Sequence, residues 1–234
     1  MSFSNFSEPI LLRLTPQWVA FSRRWGLRAV PIKAGATLWL GWTGLTWLAF
    51  VGSLLFVEVG ERSDLSLLEG VLGGGLIGLA QWQTLRFAFK QGSQVYWKRS
   101  HRWLAASVLG CGGLTLFHVG ALGWMAPGTQ NLFYRSLFGV LYGGYVGAGL
   151  GVAQWLAIRQ QVSQAWRWVP LSSGIWAVAI ALGWLIGGCL RAVSHLFISE
   201  VVWLMVAWCA IAALSGFGIV GLFYQAPTKT TRAL

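Results

Sequence analysis

Charged residues are scarce in this chain of 234 residues, and their scarcity excludes a soluble protein surface. Only 10% of the residues are charged, whereas 56% are hydrophobic and the mean hydropathy is +0.63. A soluble domain carries about 25% charged residues, so most of this surface must face an apolar solvent. Apolar stretches of about 20 residues, the length that a membrane-spanning helix needs, recur along the whole sequence.

Acidic residues are rarer still, and no Asp, Glu or Lys falls at the centre of an apolar stretch. Ion-coupled transporters and proton relays commonly place such residues inside the membrane. The sequence also lacks H-E-x-x-H, G-x-S-x-G and a glycine-rich phosphate loop. The proline-acid-basic signature of mitochondrial carriers is missing as well. We therefore expect that the protein is not an enzyme.

Metal-ligand patterns are also lacking. Cys111, Cys189 and Cys209 form no C-x-x-C pair and fall in apolar stretches, which is typical of small packing residues. His118 and His195 are expected on the same side of the membrane, where a pair of histidines could bind a metal or a haem. They have neither ligand spacing nor neighbouring carboxylates. We therefore expect no metal site, and the sequence identifies no cofactor.

Apolar segments that are long enough to span a membrane are abundant in the sequence. We predict an all-α fold, a bundle of six transmembrane helices over residues 34–223. A cytoplasmic N-terminal arm over residues 1–33 and a cytoplasmic tail over 224–234 flank it. The arm is expected to be a helix on the membrane surface or a segment folded against the bundle. The predicted spans are Ala34–Val57, Leu67–Phe89, Trp103–Met125, Ser136–Ile158, Trp168–Leu190 and Val201–Phe223.

The net charge of +11 is distributed unevenly along the chain. With six spans, both termini and the second and fourth connections lie on one side, and that side holds most of the Lys and Arg. The other side holds Arg62, Arg135 and Arg191 together with five of the six acidic residues. The positive-inside rule then predicts cytoplasmic termini. This distribution favours a basic face at anionic lipid headgroups and argues against a nucleic-acid partner.

Two short stretches are nearly the same: GLAQWQTLR at residues 78–86 and GVAQWLAIR at residues 151–159. Each ends a ridge of residues spaced four apart, and such residues share one face of a helix. Glycines at this spacing let a second helix approach closely. Trp and Arg beyond them suit the level of the lipid headgroups. The ridges are Gly70, Gly74, Gly78, Trp82, Arg86 and Gly139, Gly143, Gly147, Gly151, Trp155, Arg159.

Gln81 and Gln154 are the polar members of the two stretches, and each points close to a glycine ridge. Both lie five residues before an arginine, about 7–8 Å along a helix that rises 1.5 Å per residue. At this shallow depth a hydrogen bond between helices, worth about 0.6–2 kcal/mol, is a sufficient explanation. The alternative is a pair of amides that faces a ligand or a path.

The similarity continues beyond the two stretches. A basic connection follows each copy, then Arg-Trp at residues 102–103 and 167–168, then a serine at 107 and 172. The first span carries a looser version, with RRW at 23–25 before it and LWLGW at 38–42 within it, and the sixth keeps only scattered small residues. We therefore predict three two-helix hairpins in the same orientation, with the outer pair degenerate.

The pattern G-x-A-Q-W-x-x-x-R, followed by a basic loop and a glycine-rich helix, is similar to a group of uncharacterised bacterial polytopic membrane proteins of cyanobacterial type. The match covers roughly residues 66–185. The resemblance implies a multi-pass location in a membrane. The first copy departs from the pattern, because its loop carries about eight extra residues around KQGSQVYWKRS.

These observations favour a non-catalytic, multi-pass protein of the cytoplasmic or thylakoid membrane. We expect it to act as a structural or assembly component, with a membrane-protein partner or a second copy of itself. Two alternatives remain open at this point. One is a small channel or uncoupled carrier with Gln81 and Gln154 along its path, and the other is a protein that binds a pigment, quinone or lipid.

Overall fold

The structure, a computed structural model, describes residues 32–57, 65–89, 101–117, 131–162, 164–196 and 198–225. Within these ranges the chain is all-helical, and no residue is in a β-strand. Several sequence predictions lie outside them. They are the N-terminal arm up to residue 31, His118, the acidic connection at 58–64, the long connection at 90–100 and the tail beyond Gln225.

Six α-helices make up the described fold, and a short 3-10 turn at Ala165–Arg167 precedes the fifth. Their bounds lie close to the predicted spans for all but the third helix. There, α3 ends at Leu116, a turn follows at Phe117, and the rest of the predicted span to Met125 lies outside the described residues. The helices are α1 (Ile32–Ser53), α2 (Leu67–Phe89), α3 (His101–Leu116), α4 (Leu132–Ile158), α5 (Trp168–Ser194) and α6 (Ile198–Gln225).

Side chains next to two of the helices satisfy their first backbone N–H groups. Before α2, the Ser66 backbone N–H donates to Oε2 of Glu69 at 2.6 Å, and the Glu69 N–H donates to Oγ of Ser66 at 3.3 Å. This reciprocal pair is a capping box. Before α4, Oδ1 of Asn131 accepts from the backbone N–H groups of Phe133 and Tyr134. These caps determine where α2 and α4 begin.

Three helical segments of the described chain are long and apolar enough to cross a membrane: 132–158, 165–194 and 201–222. The outward-facing side chains of the other helices are apolar too. Leu40 and Leu48 on α1, Leu68 on α2 and Leu109 on α3 are all exposed. An exposed surface with this many large apolar side chains is stable only when it contacts lipid or a partner protein. The chain thus has the helices and the outer surface of a membrane protein.

The six helices close into a ring. Each helix packs on its neighbours in the chain, and α1 also packs on α6. The contact between α4 and α5 is the most extensive of these. Every helix therefore has one face toward the inside of the ring, where residues from several helices meet.

The glycine ridge of α4 lies against α5. A Cβ on Gly147 would lie 2.6 Å from the backbone oxygen of Ser172, and a Cβ on Gly151 would lie 3.0 Å from the Ser172 Cβ. At Gly143 an added Cβ would collide with the backbone oxygen of Trp176. The two helices therefore approach so closely that only glycine fits between their backbones.

The ridge of α2 lies against α3 in a matching way. A Cβ on Gly74 would lie 3.0 Å from the backbone oxygen of Ser107 and 2.5 Å from the Cβ of Cys111. A Cβ on Gly78 would lie 2.7 Å from the Ser107 Cβ. Ser107 and Ser172 thus have equivalent places opposite the two ridges, as the sequence similarity between the two segments suggested.

Alanine at Gly147 should destabilise the protein, because its methyl group would force α4 and α5 apart. We expect Gly147→Ala to lower the free energy of unfolding by about 1–3 kcal/mol, the usual range for overpacking. The measurement is denaturant or thermal unfolding in detergent micelles. Gly174→Ala is the matched control, because a Cβ there meets no atom within 4 Å and should leave stability unchanged or slightly higher. Equal losses from both variants would contradict the close contact.

Candidate functional site

Gln81 and Gln154 both point into the ring, where their side chains are only 6% and 8% exposed. Each one accepts a hydrogen bond from a tryptophan at the start of the next helix. Nε1 of Trp103 donates to Oε1 of Gln81 at 3.0 Å, and Nε1 of Trp168 donates to Oε1 of Gln154 at 2.8 Å. The two bonds join α3 to α2 and α5 to α4. Both glutamines therefore connect helices.

A third bond of the same kind closes the ring between its first and last helices. Nε1 of Trp42, on α1, donates to Oγ of Ser215, on α6, at 2.9 Å. In all three cases a fully buried indole on an odd-numbered helix donates to a polar side chain on an even-numbered one. Sequence reasoning placed the first copy of Arg-Trp at Arg24–Trp25, which lies outside the described residues. It included Trp42 in the LWLGW stretch of the first span but did not predict its bond to Ser215.

The three indoles lie close together inside the ring. The ring centroids of Trp42 and Trp103 are 5.7 Å apart in an edge-to-face arrangement, and those of Trp103 and Trp168 are 5.8 Å apart. Such aromatic pairs contribute about 0.5–1.5 kcal/mol beyond the burial of their area. The indoles thus stabilise the bundle twice, through their N–H groups and through their ring contacts.

A layer of polar side chains divides the buried core into two apolar clusters. One turn before Gln81, Gln154 and Ser215 come Ile77, Leu150 and Ile211, which belong to one cluster. One turn after them come Leu85, Ile158 and Ile219, which belong to the other.

A cavity of about 30 Å³ lies at this level. All six helices contribute to its wall, with Trp42 from α1, for example, and Trp208 from α6. Its polar lining consists of two amides and three hydroxyl groups, and no Arg, Lys, Asp or Glu borders it. The polar lining residues are Gln81, Ser107, Gln154, Ser172 and Ser215.

The other members of the two motifs lie toward one end of the bundle, which we call the basic end because Arg86, Arg102, Arg159 and Arg167 lie there. The guanidinium carbon of Arg86 lies 5.6 Å from the ring centroid of Trp82. Arg159 has the same distance to Trp155. These are cation–π contacts within one helix turn. The structure thus separates each motif into an amide inside the ring and an Arg–Trp pair at the basic end.

Of the two histidines that the sequence offers as metal candidates, only His195 lies in the described part of the chain. His195 is exposed and ends α5 in the left-handed conformation, with φ 55°. His118 lies outside the described ranges. Among the described residues, no three His, Cys, Asp or Glu side chains come together as metal ligands do.

Arg135 is a buried charged residue near the opposite end of the bundle, in the first turn of α4. It is 4% exposed, and its Nε donates to the backbone oxygen of Trp184 at 3.2 Å. Its side chain also lies against Gly188, where a Cβ would come within 3.0 Å of the Arg135 Nε. The guanidinium therefore attaches α4 to α5 at the end away from the amides.

Comparison with known proteins gives no relative: no family model, no curated protein and no solved structure matches the chain.

The bonds between indoles and glutamines can be separated from aromatic packing by substitution with phenylalanine. Trp103→Phe and Trp168→Phe remove the N–H group and leave a buried amide oxygen without its donor. Trp208→Phe is the matched control, because Trp208 is 2% exposed and its Nε1 has no partner among the described residues. We expect the first two variants to lose about 1–3 kcal/mol more unfolding free energy than the control. Equal losses in detergent unfolding would contradict a role for the hydrogen bonds.

Proposed function

We propose that the chain is a multi-pass membrane protein in which all six helices cross the membrane. Three helices meet the length and apolarity of a span. The other three support the proposal because they belong to the same closed ring and expose apolar side chains on its outside. In particular, α3 packs directly on α4, where a Cβ on Gly110 would lie 3.0 Å from Leu150 and 3.1 Å from Ala153.

In this proposal the basic end faces the cytoplasm, together with both termini, because arginines accumulate on the cytoplasmic side of membrane proteins. The membrane is the cytoplasmic membrane or a thylakoid membrane. The four arginines at that end belong to the starts and ends of α2, α3, α4 and α5. The shared motif also makes the chain a proposed relative of the cyanobacterial-type proteins that it resembles.

The proposed architecture is three repeats around an axis along the membrane normal. The hairpins α2–α3 and α4–α5 are two copies, and α6 with α1 forms the third. The support is the set of three indole bonds, each from an odd helix to the preceding even helix when the ring is followed in order. The polar layer and its two apolar flanks repeat on α2, α4 and α6 at matching positions, which supports the same proposal.

Within this architecture we propose a structural or accessory role in a membrane assembly, without catalysis. The observation that carries the proposal is that both buried glutamines hold neighbouring helices together through indole donors. The cavity beside them measures about 30 Å³, whereas pockets for small-molecule ligands measure about 300–1,000 Å³. A pigment or quinone therefore has no room at this level of the ring.

A membrane assembly component should purify with its partner. We expect native mass spectrometry of the protein, extracted in a mild detergent, to give one chain plus a second polypeptide or a second copy of the chain. An absorption spectrum of the same sample checks for a bound pigment. A bare monomer over a range of gentle detergents would contradict the assembly role, and coloured material would favour the binding of a pigment.

A small channel or uncoupled carrier is the second candidate, and one observation favours it. The cavity lies inside the ring, and side chains from all six helices form its wall, including both glutamines. A solute path along the axis would pass this point. In that case the same glutamines both line the solute path and form the hydrogen bonds between helices.

Substitution of the glutamines distinguishes the two candidates. Gln81→Leu and Gln154→Leu each remove an acceptor for a buried indole, so the structural role predicts a loss of about 0.6–2 kcal/mol of stability each. It also predicts that liposomes with the wild-type protein pass small polar solutes no faster than empty ones. Gln164→Leu is the control, because this glutamine is exposed near the basic end and its side chain makes no cap hydrogen bond, and it should change neither quantity. A wild-type flux that both variants abolish at unchanged stability would favour the channel.

A further inference from the structure

The cavity inside the ring has the size and the polar groups of a water site. Its volume of about 30 Å³ is enough for about two water molecules, since one water needs about 10–15 Å³ measured in this way. A buried water also needs about two to four hydrogen-bond partners. Whether the cavity offers them depends on the hydrogen bonds that its lining side chains make with one another.

Gln81 supplies the first partner. The indole N–H of Trp103 can only donate, so the atom that it contacts must be the amide oxygen, and this determines the orientation of the amide. The two N–H donors on Nε2 must then lie on the other side of the amide group. They donate to no atom of the described residues, although Gln81 is only 6% exposed and lines the cavity. A buried amide without a partner costs about 1–3 kcal/mol.

Ser107 and Gln154 supply further partners. The Nε2 group of Gln154 lies 3.5 Å from Oγ of Ser107, which is long for a hydrogen bond. The second N–H of Gln154 and the hydroxyl of Ser107 therefore have capacity left. All three side chains line the same cavity, and they come from α2, α3 and α4. Together they offer both donors and an acceptor.

We propose that this cavity binds one or two ordered water molecules, held by the Gln81 amide, the Gln154 amide and the Ser107 hydroxyl. The chemical requirement is a water-sized hydrogen-bond acceptor, which a halide ion also meets. Water is favoured because no cationic side chain lines the cavity, and a buried anion without a counter-charge is costly. The site is independent of the proposed function, since either candidate function can contain it.

The two apolar clusters on either side confine the water to one layer. Toward the basic end, Leu85, Ile158 and Ile219 lie one turn beyond the layer of polar side chains. Toward the other end, the rings of Phe50 and Trp208 stack with centroids 4.6 Å apart. The water is thus an internal part of the bundle that bridges α2, α3 and α4.

Solid-state NMR in lipid bilayers tests the site with the full chain. With ¹⁵N in the glutamine side chains, we expect magnetisation to pass from water to Nε2 of Gln81. The Gln81 N–H groups should nevertheless exchange with D₂O far more slowly than those of exposed Gln160. No transfer from water to Gln81, in a sample where Gln160 receives it, would overturn the proposal.

The matched variants are Ser107→Ala and Ser173→Ala. Ser107→Ala removes one partner of the water and leaves the bond between Trp103 and Gln81 in place. It should reduce the transfer to Gln81 about twofold or more, because the water keeps fewer of its two to four partners. Ser173 lies on α5 outside the cavity lining, where its Oγ donates to the backbone oxygen of Gly144. Its replacement should leave the transfer from water to Gln81 unchanged. Equal transfer in the two variants would overturn the role of Ser107.

Exchange of chloride for bromide in the buffer separates water from a halide. If water occupies the site, the Gln81 Nε2 resonance should keep its position in both salts. A shift of that resonance with bromide would overturn water as the occupant and identify the acceptor as an anion.

Discussion

The hydrogen bond from a buried indole to a polar side chain on another helix is the interaction on which the described bundle depends. An apolar surrounding provides no water for an unpaired N–H or amide group, so a partner inside the protein stabilises each group that finds one. Trp42, Trp103 and Trp168 find such partners by donating to α6, α2 and α4. A one-residue slip along any of these helices would separate donor from acceptor, so the bonds specify register as well as proximity.

In two of these bonds, close approach of the helix backbones brings the indole donor and the amide acceptor within reach of each other. Gly74 and Gly78 bring α2 onto Ser107, and Gly147 and Gly151 bring α4 onto Ser172, at nearly the same distances. Because a glutamine lies three residues beyond each second glycine, the same helix contact that excludes a Cβ directs the amide toward the neighbouring tryptophan. Dispersion contacts between the backbones and hydrogen bonds between the side chains therefore favour the same arrangement of each helix pair.

Sequence periodicity located the helices but could not pair all of their side chains. The apolar stretch alone was enough to predict α2 from Leu67 to Phe89, the bounds that the structure has. The interhelical hydrogen bond was the favoured expectation for Gln81 and Gln154, although their donors were not identified. The bond from Trp42 to Ser215 was missed because it joins residues 173 positions apart. A signal existed: Trp42, Trp103 and Trp168 are each followed, four residues later, by Thr46, Ser107 or Ser172.

The contact between α6 and α1 contains a bond of the same kind with a shorter acceptor. The acceptor is the short hydroxyl side chain of Ser215, which accepts from Trp42 at 2.9 Å and itself donates to the backbone oxygen of Ala212 at 3.2 Å. Gly216 makes room for the indoles of α1, since a Cβ there would lie 2.9 Å from the Trp39 side chain and 3.2 Å from the Trp42 side chain. Trp39 strengthens the contact by donating to the backbone oxygen of Ala213 at 2.9 Å. The third bond thus joins an odd helix to an even one as the other two do, with a serine hydroxyl in place of a glutamine amide as the acceptor.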